Sequence, residues 1–379
     1  MATPDVLVVG GGVIGLALAW RARTAGLSVT VVDPSPGAGA SYAAAGMLAP
    51  VSEVTYGEEQ LLELNLASAR RYPQFVAELE DASGAGVGYR TEGTVVVALD
   101  SGDRAVLADL HAFQTRLGLD SELLTGRECK RLEPMLAPGV RAGLFVAGDH
   151  SVDNRRLAPA LLTAAERSGV DVRRGRVTGL QTDGDRVTGA TLDDGDQVSA
   201  GTTVLAAGCW SGEMAGLPPD ALPPVRPVKG QILRLRTPTP FLTRTVRGVV
   251  AGGHVYLVPR GDGEIVVGAT VEELGYDTTT TAGGVYELLR DAHALLPGIT
   301  ELELVECHAG LRPGSPDNAP LLGRAGPEGL VLATGHYRNG VLLTPITADA
   351  VTELLCTGAL PEVARPFDPR RFDRTAVHP

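Results

Sequence analysis

Apolar residues in this chain gather into short runs whose period changes along its length. After Asp5 comes Val6-Leu7-Val8-Val9, β-branched and unbroken, the pattern of a short strand buried on both faces. Gly10-Gly11-Gly12-Val13-Ile14-Gly15 follows, then a helical stretch and a second β-branched run, Val29-Thr30-Val31-Val32, closed by Asp33. The opening therefore reads strand, glycine turn, helix, strand, acid. From 58 to about 81 a helix is expected with Leu61, Leu62, Leu64, Leu66, Tyr72 and Phe75 as its apolar positions, and Pro73 is expected to kink or restart it. Residues 88–99 read as strands (Tyr89, then 94–97), 103–117 and 125–132 as helices, and 143–146 as a strand.

The second half begins with an amphipathic helix, Asn154–Ser168, and a short strand at 170–172. Runs at 176–180, 186–192 and 197–198, separated by Asp/Gly turns, predict a β-meander. It leads into Thr203-Val204-Leu205-Ala206-Ala207-Gly208, a buried strand whose small terminal residues allow a cofactor to approach the backbone. Strands at 231–235, 255–259 and 264–268 alternate with period two, as in an antiparallel sheet forming a separate layer. A helix at 283–296, a strand at 302–307, a loop at 310–320, a strand at 330–334 and a helix from about 340 to 355 complete the chain. Parallel-type elements thus come from three separated pieces, with antiparallel ones inserted between them.

The glycines carry the first chemistry. Gly10, Gly12 and Gly15 form G-x-G-x-x-G between a strand and a helix, where they permit a tight turn, approach to a pyrophosphate and close helix–strand packing. The helix beginning near Val13 directs its free N–H groups at those phosphates. Asp33, eighteen residues after Gly15, stands where a carboxylate accepts hydrogen bonds from an adenosine ribose and repels a 2′-phosphate, which disfavours NADP. A plain glycine turn would not explain strand, helix and acid at this spacing. A signal peptide is not expected, because the segment lacks a basic start and its apolar run is broken by glycine. No run of about 18 apolar residues suggests a membrane span.

Composition narrows the partners. A length of 379 residues predicts about two domains, and 44% hydrophobic with 21% charged residues is the balance of a globular protein. The net charge of −12 argues against nucleic acid or an anionic membrane as main partner. Cys129, Cys209, Cys307 and Cys356 are scattered and read as buried or inert thiols of a reducing compartment. The seven histidines are dispersed too, so no metal site is expected. Lysine occurs only at Lys130 and Lys229, a skew that reads as genomic.

Six motifs, in order, allow a resemblance to be stated: Val9-Gly10-Gly11-Gly12-Val13-Ile14-Gly15, Ser41-Tyr42-Ala43-Ala44-Ala45-Gly46-Met47-Leu48, Ala206-Ala207-Gly208-Cys209-Trp210-Ser211, Val228-Lys229-Gly230-Gln231, Ala309-Gly310-Leu311-Arg312-Pro313, and Gly335-His336-Tyr337-Arg338-Asn339-Gly340-Val341-Leu342-Leu343. Over nearly its whole length the chain resembles the FAD-dependent D-amino-acid oxidase superfamily, most closely the glycine oxidase branch associated with thiamine biosynthesis. The fold implied is α/β: a Rossmann-like FAD-binding domain (1–85, 148–221 and 305–379) and a discontinuous substrate domain of antiparallel sheet plus helices (86–147 and 222–304).

The resemblance also assigns residues. Gly10, Gly12, Val13, Ile14 and Gly15 would lie on the pyrophosphate side of FAD, with Asp33 and Pro34 at the adenosine end. Ala40, Ser41, Ala45, Gly46 and Met47 would follow the cofactor toward its ring, Val177 would meet the adenine through its backbone, and Gly208 would supply a second backbone contact. His336, Tyr337, Arg338, Asn339, Gly340, Val341 and Leu342 would wrap the flavin, aided by the dipole of the helix starting near Gly340. Tyr256, Arg312 and Arg338 would form the substrate side, a guanidinium fork and a phenol holding a carboxylate. Arg312 is expected on a loop facing a cavity. His308, where relatives often carry an aromatic residue, is expected to alter the pocket wall. Cys307, the nearest thiol to the loop that tethers flavin in the sarcosine oxidase branch, lies upstream on a strand, so FAD is expected to be non-covalent.

The reaction implied is oxidation of glycine or another small amine or D-amino acid to the imine, then to 2-oxo acid and ammonia, with oxygen reduced to hydrogen peroxide. The enzyme would be cytoplasmic and homo-oligomeric, possibly tetrameric. The alternative is a same-fold FAD dehydrogenase that oxidises a D-amino acid or 2-hydroxy acid and passes electrons to a quinone. An NAD-dependent dehydrogenase would explain the first 33 residues but not the 43–48 or 336–342 motifs. A silent flavin-binding module is disfavoured by the presence of Tyr256 and Arg312.

Overall fold

The structure is a computed structural model that describes residues 3–250 and 252–372. Its first sheet has six strands, in the order Leu321–Arg324, Leu330–Thr334, Thr202–Leu205, Val6–Val9, Val29–Val32, Asp171–Arg173. The last five run parallel and the Leu321–Arg324 edge strand is antiparallel. The Val6–Val9 strand is covered on both sides, which is why its sequence does not alternate. Val6 and Val8 pack against a helical layer built from Val13–Thr24, Glu59–Ser83, Asn154–Ser168 and Thr344–Thr357. Leu7 and Val9 face the opposite way, onto Leu180, Val187 and Ala190 of a three-stranded meander (Val177–Asp183, Arg186–Leu192, Gln197–Ser199).

The second sheet has eight strands, in the order Glu303–Gly314, Arg226–Arg236, Glu264–Gly268, Gly253–Pro259, Thr245–Val250, Thr94–Ala98, Ala142–Val146, Glu122–Thr125. All neighbouring pairs are antiparallel except Thr245–Val250 with Thr94–Ala98, which run parallel. The Ala282–Leu295 helix packs on it through Leu288, Ala292 and Leu295. Among the described residues no helix is long and apolar enough to cross a membrane.

Several local expectations need correction. Pro73 lies inside one helix running from Glu59 to Ser83, so it does not restart the element. The last helix begins at Thr344, not Gly340, with Pro345 in its first turn, where a missing N–H costs nothing. Tyr89 is outside any strand. The strands Glu122–Thr125, Thr245–Val250 and Leu321–Arg324 had no strong alternation to announce them. Residues 310–314, expected in a loop, continue the Glu303–Gly314 strand. Of the cysteines, Cys129 and Cys209 are buried, Cys307 is half-buried and Cys356 is exposed, and all four are free.

Candidate active site

A cavity of about 490 Å3 is lined by residues of both sheets. From the first sheet, the Val6–Val9 strand enters the glycine turn, which lines the cavity. Gly10 has φ +108°, and a Cβ there would lie 2.4 Å from the Ala206 carbonyl oxygen, so only glycine fits. Gly12 caps the Val13–Thr24 helix in extended conformation. The Val13 N–H donates to Ser41 Oγ at 3.0 Å and the Leu16 N–H to the Gly12 carbonyl. Helix geometry leaves the other first-turn N–H groups without an internal acceptor, at a turn that lines the cavity.

Asp33 fastens this turn. Its Oδ2 accepts the Gly11 N–H and its Oδ1 the Ser35 N–H, both at 2.7 Å. Each carboxylate oxygen keeps a second lone pair for a ribose hydroxyl. The remaining lining is largely small residues and backbone, including Pro34, Ala40, Ser41, Ala45, Gly46, Met47 and Val177. Gly208 has φ +57°, and a Cβ there would meet nothing within 4 Å, since it would project into free space. A wall of glycines, alanines and main chain beside a helix N-terminus suits a long dinucleotide, and FAD fits this donor set.

His336, Tyr337, Arg338, Gly340 and Val341 also line the cavity, whereas Gly15, Asn339 and Leu342 do not. Gly15 acts by packing: a Cβ there would lie 1.9 Å from the Gly10 carbonyl oxygen. His336 is buried, with Nε2 3.0 Å from Thr347 Oγ1, and burial pushes its imidazole down to about 3. Because the folded value lies below the unfolded one of about 6.5, the neutral ring stabilises the fold fully above that pH, and the contribution is lost as pH falls toward 3. Between pH 7 and pH 5 this group should remove about 2 kcal/mol of unfolding free energy. Urea titrations at both pH values should show that loss in the wild type and a correspondingly smaller one in His336→Gln. Equal losses in both proteins would show that His336 is not the cause.

Tyr256, Arg312, Arg338 and Glu53 line the same cavity. Arg312 pairs with Val228 in the strand ladder, and its Nη1 donates to the carbonyls of Lys229 and Thr270, each at 3.2 Å. A strand position holds the guanidinium more firmly than the expected loop would. Tyr256 lies on the Gly253–Pro259 strand across from Gly268, where a Cβ would come within 2.4 Å of its hydroxyl oxygen. Burial pushes its phenol up, with the nearby Arg312 guanidinium opposing, so it stays a neutral donor. Arg338 is exposed, with its guanidinium carbon 5.2 Å from the Tyr337 ring centroid.

Glu53 escaped sequence reasoning. It sits on an irregular loop whose Val51 and Ser52 N–H groups donate to the buried Asp149 carboxylate at 3.0 and 2.7 Å, and it is paired with Arg247 at 3.0 Å. No periodicity or motif marked Glu53, and its partners lie far away in sequence. His308 does not line the cavity; it packs edge-on against Tyr42 at 5.2 Å, so the expected change to the pocket wall is not there. Cys307 is absent from the lining as well, whereas Cys209 is present, with its thiol pushed up to about 12 by burial.

The sequence profile of the family described as FAD dependent oxidoreductase matches residues 5–354. The chain belongs to this family. It is 36% identical over 384 residues to the bifunctional protein ThiO/ThiG of Synechocystis, covering 100% of this chain and 55% of that one. The chain thus spans about half the length of the first curated relatives it matches. It is 34% identical to a glycine oxidase of Geobacillus kaustophilus, covering 93% of this chain and 92% of the relative. The crystal structure of glycine oxidase from that organism superposes with a TM-score of 0.88 at 33% identity, covering 98% of this chain and 99% of the other. A hydrogen cyanide synthase subunit, HcnC of Pseudomonas aeruginosa, is 30% identical, with 98% and 96% covered. The relatives named glycine oxidase thus match this member of the FAD dependent oxidoreductase family along nearly their whole length.

Proposed function

We propose that the protein oxidises glycine or another small amine or D-amino acid to the imine, which water converts to the 2-oxo acid and ammonia, while oxygen becomes hydrogen peroxide. The observation that carries this reading is the shared cavity, which the glycine turn of the first sheet and Tyr256 and Arg312 of the second line together. Relatives named glycine oxidase and ThiO/ThiG support the choice of amine; a role in making the thiazole of thiamine, in the cytoplasm, is part of the same proposal.

FAD, when bound, supplies the two-electron acceptor for substrate Cα and the route of those electrons to oxygen. Arg312 holds the substrate carboxylate and Tyr256 adds one directional hydrogen bond, which orients Cα. Glu53 offers an anionic partner to an ammonium group, which a 2-hydroxy acid lacks. No side chain needs to act as general base, because once the ammonium proton has left, the amine lone pair assists the bond cleavage. Positioning and exclusion of water carry the catalysis. FAD is held non-covalently: Cys307 is outside the cavity, and the raised Cys209 thiol is a poor nucleophile.

A peroxide-release screen with the purified yellow protein tests this. Glycine, sarcosine, D-alanine or D-proline should drive oxygen uptake with matching peroxide. Failure with all of them, together with reduction of a quinone dye by a 2-hydroxy acid or D-amino acid, would establish the dehydrogenase alternative.

A further inference from the structure

Neither Lys229 nor Gln231 lines the cavity, although both side chains are buried and their neighbours Gly230 and Ile232 do line it. We infer that the Val228-Lys229-Gly230-Gln231 motif is the seat of Arg312: Gly230 makes room for its guanidinium, while Lys229 and Gln231 clamp the 269–281 segment whose Thr270 carbonyl aims it. This rests on the reading of Arg312 as the carboxylate anchor.

The room is measurable. A Cβ on Gly230 would fall 2.3 Å from Nη2, 2.4 Å from Nη1 and 2.5 Å from Cζ of Arg312, so the guanidinium lies directly on the backbone there. The aim comes from two carbonyls. That of Lys229 is in the strand and also accepts the Glu272 N–H at 3.0 Å. That of Thr270 belongs to a segment with no regular structure, which needs something to hold it.

Lys229 and Gln231 supply the hold. The Lys229 N–H donates to the Glu272 carbonyl at 2.8 Å, and its ammonium to Asp277 Oδ2 at 2.6 Å, with Glu272 Oε2 at 3.6 Å. The Gln231 N–H donates to Thr270 Oγ1 at 2.9 Å. Its amide Nε2 donates to Glu272 Oε1 and its Oε1 accepts the Thr281 N–H, both at 2.8 Å. Both ends of the segment are therefore tied to one strand. The Lys229 side chain is 0% exposed, whereas its partner Asp277 remains 41% exposed. Beside the ammonium the Asp277 carboxyl is pulled down to about 2, so the pair persists through neutral and mildly acidic pH. Removing the ammonium would leave two facing carboxylates that repel each other and loosen Thr270.

These are positioning residues, and their test must separate aim from stability. Acetate, a carboxylate without an amine, is titrated into the FAD-loaded wild type, Gly230→Ala and Lys229→Met, and binding is read from the flavin absorbance. The dissociation constant should rise about tenfold to a hundredfold in both variants, the scale of a misplacement near 1 Å. Glycine turnover should show a similar loss in kcat/KM, a small amine without a carboxylate should change less than about threefold, and flavin content should hold. In an Arg312→Ala background neither change should weaken acetate further, because coupled residues are not additive. The inference is overturned if acetate fails to bind the wild type, binds both variants as tightly, or is weakened equally without Arg312, or if the variants lose flavin. A wild type that binds acetate but turns over no amine would remove the oxidase reading and leave this one to the acetate result.

Discussion

Truncating Arg312 to Ala should lower kcat/KM for glycine by about thirtyfold to several thousandfold, and lower it far less for a small amine without a carboxylate. The range follows from deleting one partner of a desolvated charge pair, which costs about 2–5 kcal/mol. Of the five N–H groups on a guanidinium, the pair on Nη1 is directed at the Lys229 and Thr270 carbonyls. The guanidinium also hydrogen-bonds the Tyr256 hydroxyl, and the side-on edge of Nε and Nη2 is the fork that a substrate carboxylate would accept with both oxygens. Arg312→Lys should also be impaired, since an ammonium keeps the charge without the planar fork. Anaerobic bleaching of the flavin by glycine and by the uncharged amine, in the wild type and both variants, measures this. Near wild-type rate and affinity with glycine in Arg312→Ala would transfer the anchoring role to Arg338, another guanidinium that lines the cavity.

The second large effect is expected from Gly15→Ala, a residue that touches no part of the cavity. Its Cβ would lie 1.9 Å from the Gly10 carbonyl oxygen and 3.2 Å from Val8 Cγ1, and a backbone carbonyl cannot swing aside as a side chain can. The Val13–Thr24 helix would have to move away from the Val6–Val9 strand. Overpacking of this kind costs roughly 1–3 kcal/mol of stability. Moving the helix N-terminus also displaces N–H groups from a pyrophosphate, and each hydrogen bond to a charged group is worth about 1.5–3 kcal/mol. The variant should therefore purify with little flavin, its FAD dissociation constant raised by about a hundredfold or more, and with a lower thermal midpoint. Gly26→Ala is the control: Gly26 has φ +99° with nothing within 4 Å of its Cβ, so it should lose about 1–2 kcal/mol of stability and no flavin. Full flavin occupancy in Gly15→Ala would refute the packing argument.

Much of this protein was legible in its residues taken in order. The opening strand, turn and helix, the Asn154–Ser168 helix and the meander are local objects, encoded by burial on both faces, amphipathic spacing and turn residues within a few positions of one another. The cofactor end of the cavity was legible for the same reason, because G-x-G-x-x-G and Asp33 belong to one continuous strand–helix–strand unit. Arg312 could be named from a motif, and Tyr256 from the family resemblance. What Arg312 rests on could not, because that depends on a long strand pairing, Val228 with Arg312, and on a segment that returns to cover it. Expecting a loop at 310–314 failed because Gly310, Pro313 and Gly314 are turn formers by propensity, and only pairing along the Arg226–Arg236 strand overrides it. Glu53 is the extreme case: an irregular loop, a buried Asp149 98 and 97 positions from the N–H groups it holds, and Arg247 on another strand bring one carboxylate to the cavity. Sequence alone determined the dinucleotide turn, because its physics is local backbone geometry and one helix terminus. Tertiary structure decided the substrate end, because its charges are set by contacts between strands and loops that are remote along the chain.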